Sequence, residues 1–530
     1  MSAPVVVLAP EIILVVVAAT IYVAGAFARS RDVWVWLALG GFLSAAVAMV
    51  MLSVGAVGGP ISVDGMAIYV RWLALGLGAL LLLTSSRPSG QGSTPEYVGS
   101  LLLTVAGVML AAASRELVLL FMGLELVSIP TYILLYLGRR DAASQEAATK
   151  YFFLSILASA MLLYGFSFLY GATGSTHLAV IGQRLASPEA GSLWLARAAM
   201  VLVLAGLGFK IAAVPFHFYA PDVYQGTTHA NAALLSVVPK LAGFVALVRV
   251  VDVALEGARD DAWPIVLILA VATMTVGNAM ALWQQNLRRL LAYSSIAHAG
   301  YMLIALAVSM ATGFGTTTAW EGMAALWLYL LVYAVATVGT FAALSCLGRG
   351  AESVQSVEEL TGLPWTGGRV RPVLAWTIGL FMFSLAGIPP LAGFWGKLAV
   401  FASALSVEGP VEGIRGWFIV LAVVGVLNAA VAAAYYLRII GVMFFRRPLG
   451  VPRVREGTGG ALAVAIFSAV LAVAIGLGPG IWFRDARRAA IIEAEAPRPL
   501  PMAAGGVQTA DAGLRPGGEV GQGVGFGSGL

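Results

Sequence analysis

The feature that most constrains this chain is a succession of apolar stretches, each long enough to cross the hydrocarbon core of a bilayer as a helix. A crossing takes about 20 apolar residues. Stretches meeting that measure fall near 5–28, 33–54, 66–85, 98–113, 117–138, 149–171, 195–219, 230–253, 263–283, 290–310, 322–346, 371–401, 415–445 and 460–482. Of the 530 residues, 60% are hydrophobic and 11% charged, whereas soluble domains carry about 25% charged residues. No soluble fold hides that much apolar surface, so the solvent is lipid. In lipid the backbone must satisfy its own hydrogen bonds, as helices do. The expected fold class is an all-α polytopic membrane protein of about fourteen transmembrane helices. The fourth stretch is short and the twelfth and thirteenth are long, which means tilt or a break.

Loop charge gives an orientation. Loops after odd-numbered spans hold fifteen Lys and Arg, among them Arg139, Arg140, Arg288, Arg289, Arg446 and Arg447, against five after even-numbered spans. The positive-inside rule places the odd loops in the cytoplasm and both termini outside, although Arg484, Arg487 and Arg488 run against the trend. The apolar stretch from Pro4 to Phe27 has no basic residue before it and is long enough to remain as the first helix. From about Arg484 the chain turns rich in Gly, Pro and Ala, a composition that cannot bury a core, and a disordered tail is expected. The net charge of +5 is scattered over short loops and gives no nucleic-acid signal. Cys346 is the only cysteine, which excludes an intrachain disulfide, a Cys-based zinc site and an iron–sulfur cluster held by this chain alone.

Ionisable side chains inside such spans are expensive and therefore functional candidates. Four stand out: Glu125 in LVLLFMGLELVSIPTYILL, Lys210 in VLVLAGLGFKIAAVPFHF, Lys240 in ANAALLSVVPKLAGFVALV and Lys397 in FSLAGIPPLAGFWGKLAVF. Each has proline nearby: Pro130, Pro215, Pro239, and Pro389 with Pro390. A proline inside a helix frees a carbonyl one turn earlier, so these five are expected helix breaks. Charge and broken backbone together mark hydrated cavities, a recurring transporter device. The competing reading is structural ion pairing, but one glutamate cannot partner three lysines, and an unpaired buried lysine can exchange a proton.

His298 lies within a span and can carry a proton, or can be a neutral core histidine. His217 and His229 flank PDVYQG, with Asp222, at the expected cytoplasmic end, where they line an inlet or cap helix ends. His177 is expected at the surface. Arg71, Arg249, Arg438 and Glu11 are assigned to structure, with Arg249 and Arg438 snorkelling from helix ends. No GxGxxG, GxxxxGK[ST], CxxC or HExxH occurs, so no metal or cofactor site of the chain's own is expected and its driving energy comes from elsewhere.

The segments GLELVSIPTYILLYL, GFKIAAVPFHFYAPDVYQG, LLSVVPKLAGFVALVR, NLRRLLAYSSIAHAGYML, SVEELTGL and LAGIPPLAGFWGKLAVF resemble the N subunit of bacterial respiratory complex I. This complex is the proton-translocating NADH–quinone oxidoreductase, and the mitochondrial counterpart is subunit 2. The resemblance runs from about 95 to 445. It implies the antiporter-like fold, with two inverted five-helix repeats at 98–253 and 254–447 in which helices 7 and 12 are broken. A three-helix segment at 1–97 precedes them, and helix 14 at 448–483 and a tail at 484–530 follow. It also implies a proton relay: Glu125 paired with Lys210, a central Lys240, His298 between sites, and a terminal Lys397 near the exit. Lys397 and Pro221-Asp222-Val223-Tyr224 favour the N over the M subunit, while Thr227-Thr228-His229 departs from the family pattern at the helix 7–8 turn. The implied partners are the M and L subunits and small membrane subunits. FMN, iron–sulfur clusters, NADH and quinone sit in partner subunits, and the location is the bacterial inner membrane. A subunit of a multi-subunit Na⁺/H⁺ antiporter, or a non-transporting scaffold, remain alternative readings.

Overall fold

A computed structural model describes residues 3–27, 31–52, 59–61, 63–85, 94–139, 141–186, 192–254, 259–312, 321–349, 352–365, 368–408, 413–447, 453–455 and 458–490. Among them, twelve helices are long and apolar enough to cross a membrane. The crossing helices before the first break are α1 Ala9–Gly25, α2 Arg31–Met51, α3 Gly65–Thr84, α4 Thr94–Ala113, α5 Leu117–Gly138, α6 Ala142–Thr173 and α7 Ser192–Ile211. They continue with α8 His229–Val248, α9 Arg259–Leu282, α10 Leu287–Thr312, α11 Gly322–Ser345, α12 Val370–Ala386, α13 Ala392–Leu405, α14 Ile414–Phe445 and α15 Gly459–Leu477. The shorter α12 and α13 are two halves of the single twelfth stretch read from sequence. With α1 they bring the crossings to the fourteen expected.

Helices α8 and α10 are buried throughout their apolar windows and form the centre of the bundle. They are enclosed on every side, with Lys240 of α8 and Ser295 and His298 of α10 among their buried residues. Peripheral helices turn Trp36, Val50, Phe153, Ile268 and Val470 outward, where lipid or a neighbour takes the place of water. Side-chain caps set several starts. Asp64 accepts from Ala67 N at 2.8 Å to open α3, Asp141 from Ser144 N at 2.9 Å to open α6, and Thr228 from Asn231 N at 3.2 Å to open α8. Beyond the membrane helices, a three-stranded clip ties Leu347–Arg349 to Glu352–Ser353 and Arg453–Val454.

Three expectations change. Arg249 does not snorkel: it is fully buried, with Nη1 2.5 Å and Nη2 2.9 Å from the Asp64 carboxylate and Nη2 2.6 Å from the Ala112 carbonyl at the end of α4. A charge this deep is tolerable only when paired and hydrogen-bonded. Arg71 and Glu11 form a second buried pair at 2.7 Å. Arg438 lies two turns inside α14 and reaches the C-terminal end of α9, its Nη1 3.0 Å from the Leu282 carbonyl and its Nη2 2.5 Å from that of Gln284. His177 is half-buried, with Nε2 3.3 Å from the Gly59 carbonyl. Finally, residues 484–490 belong to a helix, α16 Pro479–Ala490, whose Ala486, Ala489 and Ala490 are buried. The tail expected beyond it lies outside the described residues.

Candidate functional site

The site begins mid-way along α5. Glu125 Oε1 accepts from Ser159 Oγ on α6 at 2.5 Å and lies 3.6 Å from Lys210 Nζ. Lys210 is the next-to-last residue of α7, and its Nζ donates to Ser128 Oγ at 2.6 Å. Ser128 follows Glu125 by three residues and so shares its face of α5. Helix α7 stops because Ala212 turns left-handed, at φ +58°. In lipid the freed groups need partners. Ala213 N donates to the Gly208 carbonyl at 2.8 Å, Val214 N to Thr273 Oγ1 on α9 at 3.0 Å, and Tyr219 OH to the Phe209 carbonyl at 3.0 Å. The chain resumes as a short helix, Ala220–Gly226.

Helix α8 closes on this break. A Cβ at Gly243 would press on Ile211 and stand 3.4 Å from Lys210 Cβ, so glycine there permits the close approach that puts Lys210 and Lys240 on facing helices. Lys240 Nζ donates to the backbone carbonyl of Ser295 and, at 2.5 Å, to its Oγ. The ammonium also stands 5.5 Å above the Tyr333 ring. No carboxylate among the described residues pairs with Lys240 or Lys397.

Ser295 passes the network on. Its Oγ accepts from Tyr333 OH at 2.7 Å. Three residues later His298 holds two hydroxyls, with Nδ1 2.8 Å from Tyr329 OH and Nε2 3.0 Å from Tyr436 OH, and its ring lies 5.0 Å from that of Tyr333. A small cavity, of about the size that holds one water, opens between His298, Tyr329, Tyr333, Ala336, Ser384 and Gly393. It faces the break between α12 and α13. There Gly387 is left-handed at φ +88°, and a Cβ on it would come 2.8 Å from Lys397 Cδ. Lys397 Nζ donates to the Ala386 carbonyl, the last of α12, at 2.8 Å. It also stands 5.2 Å from the Tyr301 ring, which in turn packs 5.9 Å from His298.

The five titratable candidates fall into separate bonded sets, Glu125 with Lys210, Lys240 with Ser295 and Tyr333, His298 with Tyr329 and Tyr436, and Lys397 with the Ala386 carbonyl, which adjoin through the Gly243 contact and through ring contacts, whereas the three inlet candidates are not brought together. Asp222 is clamped: Lys150 Nζ stands 3.0 Å from Oδ2 and Arg289 Nη1 2.5 Å from Oδ1. Partial burial works to raise its carboxyl, but the bonds from Lys150 and Arg289 outweigh it and hold the group below the usual carboxylate range. His229 is buried under the loop after α11, its Nε2 3.0 Å from the Val354 carbonyl. His217 is half-buried at the α7 break.

Two of the five expected breaks are not breaks. Pro130 and Pro239 lie inside the continuous helices α5 and α8. One lost hydrogen bond is survivable where a neighbour packs against the freed backbone. Opposite Pro130, a Cβ at Gly107 of α4 would meet the backbone of Leu126 and Val127. Pro215, Pro389 and Pro390 do sit at interruptions, and the peptide bonds Val214–Pro215 and Pro389–Pro390 are cis.

The hydroxyl partners escaped sequence reasoning, namely Ser128, Ser159, Ser295, Tyr329, Tyr333 and Tyr436. Their one signal is spacing. Ser128 and Ser295 stand three residues from Glu125 and His298, and Tyr329 and Tyr333 stand one turn apart.

Residues 114–428 match the family described as NADH:quinone oxidoreductase/Mrp antiporter, TM. The chain is 38% identical over 447 residues to NADH-quinone oxidoreductase subunit N of Trichlorobacter lovleyi, covering 83% of this chain and 87% of that protein. It is 38% identical over 472 residues to subunit N of Sphingopyxis alaskensis, covering 88% and 93%. The chain belongs to the NADH-quinone oxidoreductase subunit N family. Consistent with that family, it superimposes on a chain of respiratory complex I from Thermus thermophilus with a TM-score of 0.73, at 33% identity over 90% of this chain and 98% of that one. A chain of the Mrp complex from a Dietzia species matches with a TM-score of 0.77 at 24% identity, over 91% and 96%, which is a likeness of fold alone. As a subunit N member, the chain is a multi-pass membrane protein and a subunit of an oxidoreductase complex. The antiporter reading is the weaker one, because the two relatives at 38% identity carry the subunit N name and the Mrp chain is 24% identical.

Proposed function

We propose that protons cross the bilayer through this chain by way of Glu125, Lys210, Lys240, His298 and Lys397, driven by quinone reduction in partner subunits. The observation that carries this reading is Lys240. It is fully buried, lacks a carboxylate partner among the described residues, and is bonded instead to a serine that bonds a tyrosine. A permanent structural lysine would leave an ammonium in low dielectric without a counter-charge, at a cost of several kcal/mol. A lysine that receives and passes a proton needs neighbours of this kind, which accept without trapping.

Each residue then has a task. Glu125 holds the proton of Lys210 while the two are close. Lys240 takes a proton from Lys210 across the Gly243 contact. Ser295 and Tyr333 lead toward His298, and the small cavity leads on to the α12–α13 break and Lys397. The partners of this arrangement are antiporter-like M and L subunits and small membrane subunits. NADH, FMN, iron–sulfur clusters and quinone are bound by other subunits. The Arg-rich loops face the cytoplasm of a bacterial inner membrane, with both termini outside, and 98–253 and 254–447 form inverted repeats.

Lys240→Ala in the assembled complex tests the reading. Inverted vesicles should lose quinone-linked proton uptake while complex yield on native gels is kept. Uptake at the wild-type rate would refute the relay.

A further inference from the structure

Helices α5 and α6 share a line of hydroxyls that the relay above does not use. Tyr132 OH on α5 donates to Ser155 Oγ on α6 at 2.9 Å, and Ser159 Oγ on α6 donates to Glu125 Oε1 at 2.5 Å. Glu125 and Tyr132 are seven residues apart, two turns of α5, and Ser155 and Ser159 are one turn apart on α6. Both contacts therefore lie on one seam. Ser155 and Ser159 are buried, and Tyr132 is half-buried. A serine in a membrane helix commonly donates to its own preceding turn, as Ser128 does to the Leu124 carbonyl at 2.8 Å. Ser159 gives its hydrogen to the carboxylate instead. Tyr132 is held in place by ring contacts with Tyr151 at 5.7 Å and Phe152 at 5.3 Å.

We propose that this seam is the uptake path that returns a proton to Glu125 from the end of the bundle bearing Arg139, Lys150 and Asp222. The proposal rests on the reading that Glu125 and Lys210 take part in proton transport. Ser155 lies five residues beyond Lys150 on α6, about 7.5 Å along the axis. The Lys150–Asp222 pair at that end is half-exposed. From Ser155 to Ser159 is one turn, about 6 Å, a gap that one ordered water spans. A proton from the medium reaches Tyr132 and Ser155, and each hydroxyl releases its own hydrogen inward as it gains one from outside. The bridging water does the same, and the hydrogen of Ser159 passes to Glu125 Oε1. The carboxylate becomes a carboxylic acid, and every hydroxyl ends with one hydrogen and a reversed orientation. The competing account is that these hydroxyls only bind α5 to α6.

The test uses the whole complex in inverted vesicles, with quinone-linked proton uptake measured per assembled complex in H₂O and D₂O. Tyr132→Phe, Ser155→Ala and Ser159→Ala should each lower uptake by about tenfold, with a larger solvent isotope effect. That is less than the roughly hundredfold contribution of a positioned proton-transfer group, because water replaces a lost hydroxyl in part. Ser159→Thr, which keeps the hydroxyl, should restore uptake. Wild-type uptake per assembled complex in the three variants would overturn the path, as would a loss confined to complex yield. Lys240→Ala separates the two readings. If it stops uptake while the seam variants do not, the path alone fails. If it too leaves uptake intact, the transport reading itself has failed.

Discussion

Replacing Gly387 with alanine perturbs the terminal lysine without substituting any titratable group. Two costs follow from the structure. The residue sits at φ +88°, where a non-glycine residue is strained by about 1–3 kcal/mol. Its new Cβ would stand 2.8 Å from Lys397 Cδ, against about 3.5–4.0 Å for an ordinary carbon contact. The lysine must move, and moving it stretches the 2.8 Å bond from Nζ to the Ala386 carbonyl. A hydrogen bond from a charged donor contributes about 1.5–3 kcal/mol. The combined penalty is about 2.5–6 kcal/mol, localised at one helix break, which a bundle of this size survives. Gly387→Ala should therefore assemble and reduce quinone, but with proton uptake lowered toward, and no further than, the level of Lys397→Ala. The double variant should be no worse than Lys397→Ala alone, since both act through one side chain. Full uptake in Gly387→Ala, or strictly additive losses in the double variant, would refute the reasoning.

Glu125→Gln removes a charge 3.6 Å from Lys210 Nζ while keeping an oxygen for Ser159. A static bridge predicts a stability loss of about 3–5 kcal/mol and poor assembly, whereas a switch predicts assembled complex with slow uptake, and native gels beside vesicle uptake tell them apart. Ala336→Leu should fill the small cavity beside His298 and cut uptake by roughly a hundredfold with full assembly; unchanged uptake would remove the cavity from the route. Because the carboxyl of Asp222 is held low by Lys150 and Arg289 in the folded state, the clamp contributes stability above the ordinary carboxylate range and loses it only as pH falls through the lowered value. Hydrogen-exchange protection factors across 220–226, corrected for the intrinsic pH dependence of amide exchange, should thus stay flat from about pH 8 to pH 5 and fall only below about pH 4; loosening near neutrality would contradict the assignment.

How much of this was legible in the sequence depends on the range of the interaction. The crossings were readable because each is a local apolar run, and Glu125, Lys210, Lys240 and Lys397 because a charge in such a run has few excuses. The prolines were only half readable. Pro389 and Pro390 stand together after Gly387, and the helix stops. Pro130 and Pro239 are single, and their helices continue, an outcome decided by packing from another helix, as Gly107 shows at Leu126. The pairing of Asp64 with Arg249 joins residues 185 apart, so no local pattern announces it, and Arg249 read as a helix-end residue free to snorkel. The hydroxyls were hardest. A serine or tyrosine is common in membrane helices, and only its partner across the bundle distinguishes Ser295 or Tyr333 from its neighbours.

The three lysines differ in what holds them, and in the proposed relay that difference gives a direction of control. Lys210 faces a carboxylate that can itself take a proton. Lys240 faces a hydroxyl and a carbonyl. Lys397 sits at the C-terminal end of α12, where unsatisfied carbonyls and the helix dipole supply a fixed partial negative charge of about half an electron. Hydroxyls and helix ends attract an ammonium at constant strength, because nothing adjustable is attached to them. The attraction at Lys210 vanishes when Glu125 is protonated or moves. Glu125 is also the one relay group with a partly open side chain, 21% exposed, whereas Lys210, Lys240, His298 and Lys397 are buried. A signal from outside the chain, whether a proton or the approach of a neighbouring helix, therefore reaches the first pair most readily. Steps at Lys240 and Lys397 follow from the arrival of charge. In that arrangement a variant at Glu125 alters when protons move, and a variant at Gly387 or Ala336 alters whether they finish.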